Sequence, residues 1–373
     1  MRWEQVYLAG TGVWLADRTN AAAAVEAGAY DAGEHAVNQI HSVSSAEAGG
    51  PDDLSAPEMA VRAARTALRR SGRAAERVAA VFHSYLWFQG AELWPSAAYV
   101  AQHTVGSAVP AFDLLQQCNA GLAAMELAAR QLRSGGSGAS VRSGASVRSG
   151  EAVRSGEAGE PEAVLLTTAD RFAPPAFDRW RAERGMVYGD GGTALVLSSS
   201  PEGATGRLLS TATRVDNSLE GLARGAGFRS GPEAADRPVD LGARAEEYFR
   251  AQRNMRAATL RTAEVAAESI RAALADAGTP MDRIDRVVLN ATGQQRLRWQ
   301  LEHQLGIEEK FSNWEFCREV GHLGAGDHFA GLNELLETGE VGGGDRVLLV
   351  GGGTGYSCTS AVVEITDPSG WNV

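Results

Sequence analysis

The sequence predicts an α/β protein with buried sheets, built from two similar halves. Apolar runs of strand length alternate along the chain with helical patterns, which is typical of sheets covered by helices. Each half also closes with a strand, a glycine-rich turn and a second strand, at 163–198 and again at 346–365. We expect the halves to join near 201–206, which gives units at 1–200 and 207–373.

The spacing of apolar residues predicts the individual elements. Spacings of three and four residues indicate helices, and short continuous apolar runs indicate strands that are buried on both faces. The predicted helices cover 56–70, 120–132, 259–277 and 296–305. The predicted strands cover 78–84, 163–168, 194–197, 286–289 and 346–350. Both halves therefore contain both kinds of element.

One segment departs from this alternation. Residues 138–155 hold three copies of a six-residue repeat, the first of which is Gly138-Ala-Ser-Val-Arg-Ser143. A hexapeptide period can indicate a parallel β-helix. Three short copies rich in Gly, Ser and Arg cannot build a stacked core, so we expect a flexible surface insertion over about 134–160. We assign it no chemistry.

Composition disfavours several classes of protein. The chain has 373 residues, 44% hydrophobic and 22% charged, which is ample for a large core. A formal net charge of −11 disfavours nucleic acid as a partner. The N-terminus lacks a signal-peptide core, and no apolar run reaches the roughly 18 residues of a membrane span. Three cysteines without zinc-site spacing argue against a disulfide framework and for a reducing cytoplasm.

The strongest chemical signal is a cysteine between an apolar strand and an alanine-rich helix, in Asp113-Leu-Leu-Gln-Gln-Cys118-Asn-Ala-Gly121. A thiol at a helix N-terminus feels the positive end of the backbone dipole, which favours the thiolate and activates the sulfur for acyl transfer. The small residues that follow leave room for a thioester. The alternative is a buried structural cysteine, as we expect for Cys317 and Cys358.

Three motifs in order give the chain a resemblance to the ketoacyl synthase III family of the thiolase superfamily. They are the Cys118 segment, Tyr188-Gly-Asp-Gly-Gly-Thr-Ala before a strand, and Gly353-Thr-Gly355-Tyr-Ser near the C-terminus. The resemblance implies a thiolase-like five-layer αβαβα fold, a homodimer and an acyl group carried on Cys118. It also implies an oxyanion hole made by the backbone N–H groups of Cys118 and Gly355.

The chain departs from the family pattern at two positions. Condensing members pair the cysteine with a histidine and an asparagine, which stabilise the enolate left by decarboxylation. The resemblance places Ala291 at the histidine position and His322 at the asparagine position. With Asp327, these changes suggest a Cys118, His322 and Asp327 triad in which His322 is the base. Related acyltransferases of polyketide pathways use such a triad, although their histidine occupies the position of Ala291.

Each assignment has a simpler alternative. His322 can satisfy a buried backbone group, and Asp327 can cap the helix that follows it. His328 is an alternative base. Thr292 or Gln294 can replace the missing histidine as a hydrogen-bond donor.

Other residues near these motifs are weaker candidates. We expect His303 on a helix surface and His83 either in the core or beside the acyl site. Aromatic residues can line an acyl tunnel or an acceptor cleft, although core packing explains them equally well. The candidate substrate-lining residues are Thr292, Trp87, Phe88 and Phe172.

We therefore predict an acyltransferase of secondary metabolism that works through acyl-Cys118 and acylates an oxygen or nitrogen of a small-molecule acceptor. The donor is acyl-CoA or an acyl carrier protein, and the chemistry calls for no metal or redox cofactor. An acidic carrier would need a basic patch, for which 179–184 and 253–261 are rich in arginine. The alternatives are a decarboxylative ketoacyl synthase III-type condensing enzyme and a noncatalytic thiolase-fold partner subunit.

Overall fold

The computed structural model of the chain describes residues 1–50, 52–135, 162–228, 238–252 and 254–368. The six-residue repeat at 138–155 lies outside the described residues. The same holds for nearly all of the insertion expected at 134–160.

Strands and helices alternate along the described residues, as predicted. The strands are β1 (Tyr7–Leu15), β2 (Arg18–Asn20), β3 (Ser42–Ser44), β4 (Val78–Ser84), β5 (Ala111–Leu114), β6 (Ala163–Asp170), β7 (Gly191–Ser198), β8 (Gly206–Val215), β9 (Arg286–Leu289), β10 (Arg346–Gly353) and β11 (Ser357–Ile365). The α-helices are α1 (Ala21–Glu26), α2 (Ala32–Asn38), α3 (Ala56–Ser71), α4 (Ser96–Thr104), α5 (Ala120–Gly135), α6 (Gly221–Arg224), α7 (Leu241–Gln252), α8 (Met255–Ala277), α9 (Gln294–Gln300), α10 (Trp314–Val320) and α11 (Asp327–Glu337).

The elements predicted from apolar spacing are all present. β4 and β9 match their predicted spans to the residue, and most residues of each strand are buried. The helix predicted at 296–305 divides into α9 and a π-helical turn at Leu301–Leu305. Periodicity therefore locates the buried elements, and the irregular turn is the main departure.

A nine-stranded sheet runs through the molecule in the order β5-β4-β6-β7-β1-β8-β11-β10-β9. On one side of the middle, β1 pairs antiparallel with β7, β7 pairs antiparallel with β6, and β6 pairs parallel with β4. On the other side, β8 pairs antiparallel with β11, β11 pairs antiparallel with β10, and β10 pairs parallel with β9. The two sides join where the start of β1 pairs with the start of β8. The backbone thus shows two similar halves.

Helices form three layers around the two sides of this sheet. α3 packs on β1, β6 and β7, and α8 packs on β8 and β11. α5 and α11 lie between the two sides and contact strands of both. Each interface has its own apolar cluster, and the central one includes Leu122 and Phe329. This order of layers is the predicted thiolase-like αβαβα arrangement.

Local chemistry explains where α3 begins and ends. The Ser55 N–H donates to Glu58 Oε2 at 2.8 Å in a capping box, and Pro57 occupies the first turn. The helix ends at Gly72 in the left-handed conformation that glycine adopts readily. Among the described helices, none combines the length and apolar composition that crossing a bilayer requires.

Two leucines on α5 test the central layer. Leu122 is fully buried between the two sides of the sheet, whereas Leu127 is 45% exposed. Leu122→Ala should lower the free energy of unfolding by about 2–5 kcal/mol, because it leaves a cavity in the core. Leu127→Ala removes the same atoms from the surface and should cost less than about 1 kcal/mol. Urea denaturation followed by circular dichroism measures both, and equal losses would contradict a central α5.

Candidate active site

Cys118 lies on a sharp turn that leads directly into α5. The turn is a short 3₁₀ segment, Gln117–Asn119, and Gln117 adopts a φ of 50°, which is uncommon for a residue with a side chain. Cys118 is partly exposed, whereas Cys317 and Cys358 are buried. Burial raises the pKa of the Cys317 thiol well above its usual value and that of Cys358 to about 12. The other two thiols are therefore poor nucleophiles.

The structure places the three predicted site residues in direct contact. His322 Nε2 lies 3.0 Å from Cys118 Sγ, and His322 Nδ1 lies 2.6 Å from Asp327 Oδ2. The side chains of His322 and Asp327 are buried. Cys118 precedes α5, Asp327 is the first residue of α11, and His322 lies between α10 and α11, so three segments converge on one point.

The alternative prediction for Asp327 was that it caps the helix that follows it. The side chain of Asp327 does not cap that helix. Its Oδ1 accepts a hydrogen bond from the Leu323 N–H, and its Oδ2 accepts one from the Ala291 N–H, both at 2.7 Å. Burial acts to raise the pKa of Asp327, but His322, the charge of His328 and the Ala291 amide hold that pKa below its usual value. Ala291, which the resemblance places at the histidine position, thus contributes a backbone donor to the acid.

The main chain of His322 is fixed by the Tyr188 motif. The His322 N–H donates to Val187 O at 2.8 Å, and the Gly189 N–H donates to His322 O at 2.9 Å, so the two segments pair like short parallel strands. The ring of Tyr188 meets the imidazole nearly edge to face, with centroids 5.2 Å apart. The glycine-rich motif therefore positions the histidine.

Opposing effects set the charge of His322. Burial acts to lower the pKa of His322, but the negative charges of Asp327 and Cys118 outweigh burial and raise that pKa well above its usual value. The imidazolium form is therefore favoured beside the sulfur. An imidazolium stabilises a neighbouring thiolate, which is the reactive form of cysteine.

Two glycines allow the segments of the site to approach one another. A Cβ at Gly121 would lie 2.5 Å from Ala325 O, so the space that the sequence suggested for a thioester is taken by the turn before α11. A Cβ at Gly353 would lie 2.6 Å from Gln116 O. The end of β10 therefore lies directly against the cysteine turn, and Gly355 follows in the loop to β11.

Asn290 links the same two segments, a contact that the sequence did not indicate. Its Nδ2 donates to Cys118 O at 3.5 Å, and its Oδ1 accepts a hydrogen bond from the Gly352 N–H at 2.8 Å. The end of β9 thus joins the end of β10 to the cysteine turn.

The alternative polar candidates have other partners. His328 Nε2 donates to Val350 O at 2.9 Å, and burial lowers the pKa of His328. The Thr292 hydroxyl donates to Gly293 O at 3.4 Å, and Gln294 donates to Glu309. None of these side-chain contacts reaches the cysteine.

The aromatic candidates make no ring contact with His322. Phe172 is buried and packs against Phe177 and Tyr188, and Trp87 packs on Phe177. Phe88 is exposed. The ring in contact with His322 belongs to Tyr188. The sequence pointed to Tyr188 only through its place at the start of the glycine-rich motif.

Two further histidines are accounted for by local contacts. His83 is buried, with its ring nitrogens bonded to Thr167 and Gln89. His303 stacks on Trp299 at the surface. Within the part of the chain that the structure describes, His, Cys, Asp and Glu side chains form no group of three that could hold a metal.

Asp170 is a buried acid at the site that the sequence did not single out. It ends β6 and accepts hydrogen bonds from the N–H groups of Leu86, at 2.9 Å, and Trp87, at 2.8 Å. Burial raises the pKa of Asp170 to about 8, although these donors, the Ala325 amide and the charge of His322 act in the other direction. The feature that could have pointed to Asp170 is an acidic residue at the end of a fully buried strand.

Two arginines of the arginine-rich stretches are paired with acids, whereas Arg181, Arg184 and Arg256 of the same stretches are exposed. Arg179 is buried in an ion pair with Asp190, at 2.8 Å. Arg261 is paired with the carboxylates of Asp216, Glu264 and Glu268. Residue 253 lies outside the described residues.

Comparisons with known proteins show what the chain is similar to. A family model described as 3-oxoacyl-[acyl-carrier-protein] synthase III, C-terminal, matches residues 274–365. The structure of ChlB3, described as an acyltransferase, is 31% identical over 99% of this chain and 100% of its own, with a TM-score of 0.85. A search of the curated proteins found no match.

Two further solved structures share the fold at lower identity. The 3-oxoacyl-(acyl carrier protein) synthase III FabH from Pseudomonas aeruginosa PAO1 is 19% identical over 98% of this chain and 99% of its own, with a TM-score of 0.73. A variant of OleA from Xanthomonas campestris is 19% identical over 98% of both chains, with a TM-score of 0.70. The chain belongs to the ketoacyl synthase III family of the thiolase superfamily.

Proposed function

We propose that the protein is an acyltransferase that carries its acyl group on Cys118 and passes it to an oxygen or nitrogen of a small-molecule acceptor. The observation that carries the proposal is the unbroken contact from Cys118 Sγ through His322 to Asp327. A nucleophile, a base and an acid that orients the base are the set that acyl transfer requires.

In the first step, the Cys118 thiolate attacks the carbonyl carbon of an acyl thioester. A new C–S bond to Cys118 replaces the C–S bond of the donor, and the CoA or carrier thiol leaves with a proton from His322. The backbone N–H groups of Cys118 and Gly355 are the proposed donors to the oxyanion.

In the second step, His322 acts as a base. The negative charge of the sulfur is one of the charges that raise the pKa of His322. Acylation removes that charge, so the pKa of His322 falls. The imidazole, which has given its proton to the leaving thiol, can then take the proton of an acceptor O–H or N–H as the acceptor attacks the thioester. Asp327 holds the Nδ1 proton throughout, and Cys118 leaves as the thiolate.

The donor set favours this reaction over decarboxylative condensation. The resemblance implies that condensation needs two side-chain donors on the malonyl carbonyl. Ala291 has no side-chain donor, and both ring nitrogens of His322 are bonded to Cys118 and Asp327. A noncatalytic subunit is disfavoured because the partly exposed sulfur contacts a histidine.

The proposal includes a homodimer in the cytoplasm that acts in a secondary-metabolite pathway, with acyl-CoA or an acyl carrier protein as donor. β5 lies at the edge of the sheet and is followed by Leu115, and both Phe112 of this strand and Leu115 are exposed. Proteins usually cover an exposed apolar edge strand, and a second copy of the chain can cover this one. The three cysteines are unpaired, which supports a reducing compartment.

Replacement of the nucleophile and the base should separate the two steps. Cys118→Ala should abolish loading from every acyl thioester in a panel, because the attacking sulfur is gone. His322→Ala should load slowly and transfer the acyl group about 100-fold more slowly or worse, because the base is lost. Intact-mass spectrometry measures loading, and product release measures transfer. Cys317→Ala is the control and should load like the parent.

The same experiment can contradict the proposal. A parent protein that gains no acyl mass from any donor would rule out the acyl-Cys118 intermediate. Equal transfer by His322→Ala and the parent would remove His322 from the mechanism.

The pH dependence of transfer tests Asp327. Transfer from preloaded acyl-enzyme should rise with pH through the pKa of His322, because the neutral imidazole is the base. Asp327 raises that pKa, so Asp327→Asn should move the midpoint to lower pH and lower the plateau by about 100-fold or more. Single-turnover rates across a pH series measure both effects. The exposed Asp282→Asn should keep the parent profile, and an unmoved midpoint in Asp327→Asn would contradict the pairing.

A malonyl thioester separates acyl transfer from condensation. Protein preloaded with an acyl group should release no carbon dioxide from malonyl-CoA or a malonyl carrier protein, because the site lacks the second donor. Trapping of labelled carbon dioxide measures the release. Release that requires the loaded acyl group would establish the condensing enzyme instead.

A further inference from the structure

Asn119, the residue after the nucleophile, is fully buried and bonded to the start of β11. Its Oδ1 accepts a hydrogen bond from the Thr359 N–H at 2.9 Å. Its Nδ2 lies 3.0 Å from Thr359 Oγ1, 3.2 Å from Ser357 Oγ and 2.8 Å from Gln116 Oε1. One carboxamide thus joins the cysteine turn to β11.

These bonds lie between the two proposed oxyanion donors. Cys118 directly precedes Asn119, and Gly355 lies two residues before Ser357 in the loop from β10 to β11. Both N–H groups must reach the same oxygen, so their separation decides how well they stabilise it. A displacement of about 1 Å in such a site can cost on the order of 100-fold in rate.

The hydrogen bonds continue from Asn119 and return to α5. The hydroxyl oxygens of Thr359 and Thr213 lie 2.9 Å apart, and the Thr213 hydroxyl donates to Glu126 Oε2 at 2.8 Å. Glu126 pairs with Arg130 at 2.6 Å, and both residues lie on α5. The path runs from the start of α5 through β11 and β8 to the second turn of the same helix, so it braces the helix against the sheet of the other half.

The carboxamide is the group that these partners require. It accepts a hydrogen bond from a backbone N–H while donating to hydroxyl oxygens. A carboxylate can only accept, and an alanine can do neither.

We propose that Asn119 is a positioning residue that sets the separation of the Cys118 and Gly355 N–H groups around the oxygen of the acyl thioester. The inference rests on the proposed function, because it concerns the acylation of Cys118. Asn119 acts through the backbone on either side and makes no contact with the acyl group.

Two reactions of one sulfur test this role. Acylation by a thioester passes through an oxyanion, whereas alkylation by iodoacetamide displaces iodide and forms none. Asn119→Ala should slow acylation of Cys118 by about 10- to 100-fold and leave alkylation close to the parent rate. Thr359→Val removes the hydroxyl partner but keeps the backbone donor, so it should shift the ratio of the two rates in the same direction by less. Quenched-flow mass spectrometry measures both reactions.

Asn333→Ala is the matched control. Asn333 is a buried asparagine on α11 whose Oδ1 accepts from Thr11 and Arg70, away from the cysteine turn. It should keep the parent ratio of acylation to alkylation even where it lowers the thermal midpoint, because loss of stability alone does not discriminate between the two reactions.

Each remaining outcome decides the question. An unchanged ratio in both variants, or equal slowing of the two reactions, would overturn the role of Asn119. If Asn119→Ala does not fold, the ratio in Thr359→Val decides. A parent protein that is alkylated but never acylated would contradict the proposed function itself. A parent and variants that are acylated equally well would contradict only the role of Asn119.

Discussion

The site depends on one buried carboxylate, that of Asp327. A buried charge is costly unless hydrogen bonds and an opposite charge compensate for it. The Leu323 and Ala291 N–H groups and the His322 ring supply that compensation. Because the carboxylate stays charged, it raises the pKa of the imidazole, and the Nε2 atom of that ring lies 3.0 Å from Cys118 Sγ. The geometry of the site and the charge of its histidine therefore have the same origin.

The two-fold repetition of the fold brings this chemistry together. α5 precedes β6 in the first half and α11 precedes β10 in the second, so the two helices occupy equivalent places in the central layer. Cys118 lies at the beginning of one helix and Asp327 at the beginning of the other. The positive end of each helix dipole thus lies at one of these two side chains. The contact of Gly121 with Ala325 O allows the two helix ends to meet.

Local sequence predicted much of the fold and less of the site. Strands such as β4 and β9 are built around short apolar runs that are buried, so their positions follow from composition. Asp327 is different, because an aspartate before a helix is typical of an N-cap, and its actual donor Ala291 lies 36 residues earlier. The contact of Tyr188 with His322 and the bonds of Asn119 to β11 also join distant segments. Side-chain direction at such points is decided by packing between elements, which spacing along the chain does not encode.

The position of the histidine bears on the kind of reaction. The Ala291 N–H and the His322 ring bond to the same oxygen of Asp327, so the loops after β9 and before α11 meet at one acid. With alanine on one loop and histidine on the other, the site keeps one proton carrier next to the sulfur and lacks a second donor for an enolate. Removal of a proton from an O–H or N–H needs only the proton carrier. This arrangement therefore favours acyl transfer to a heteroatom over formation of a carbon-carbon bond.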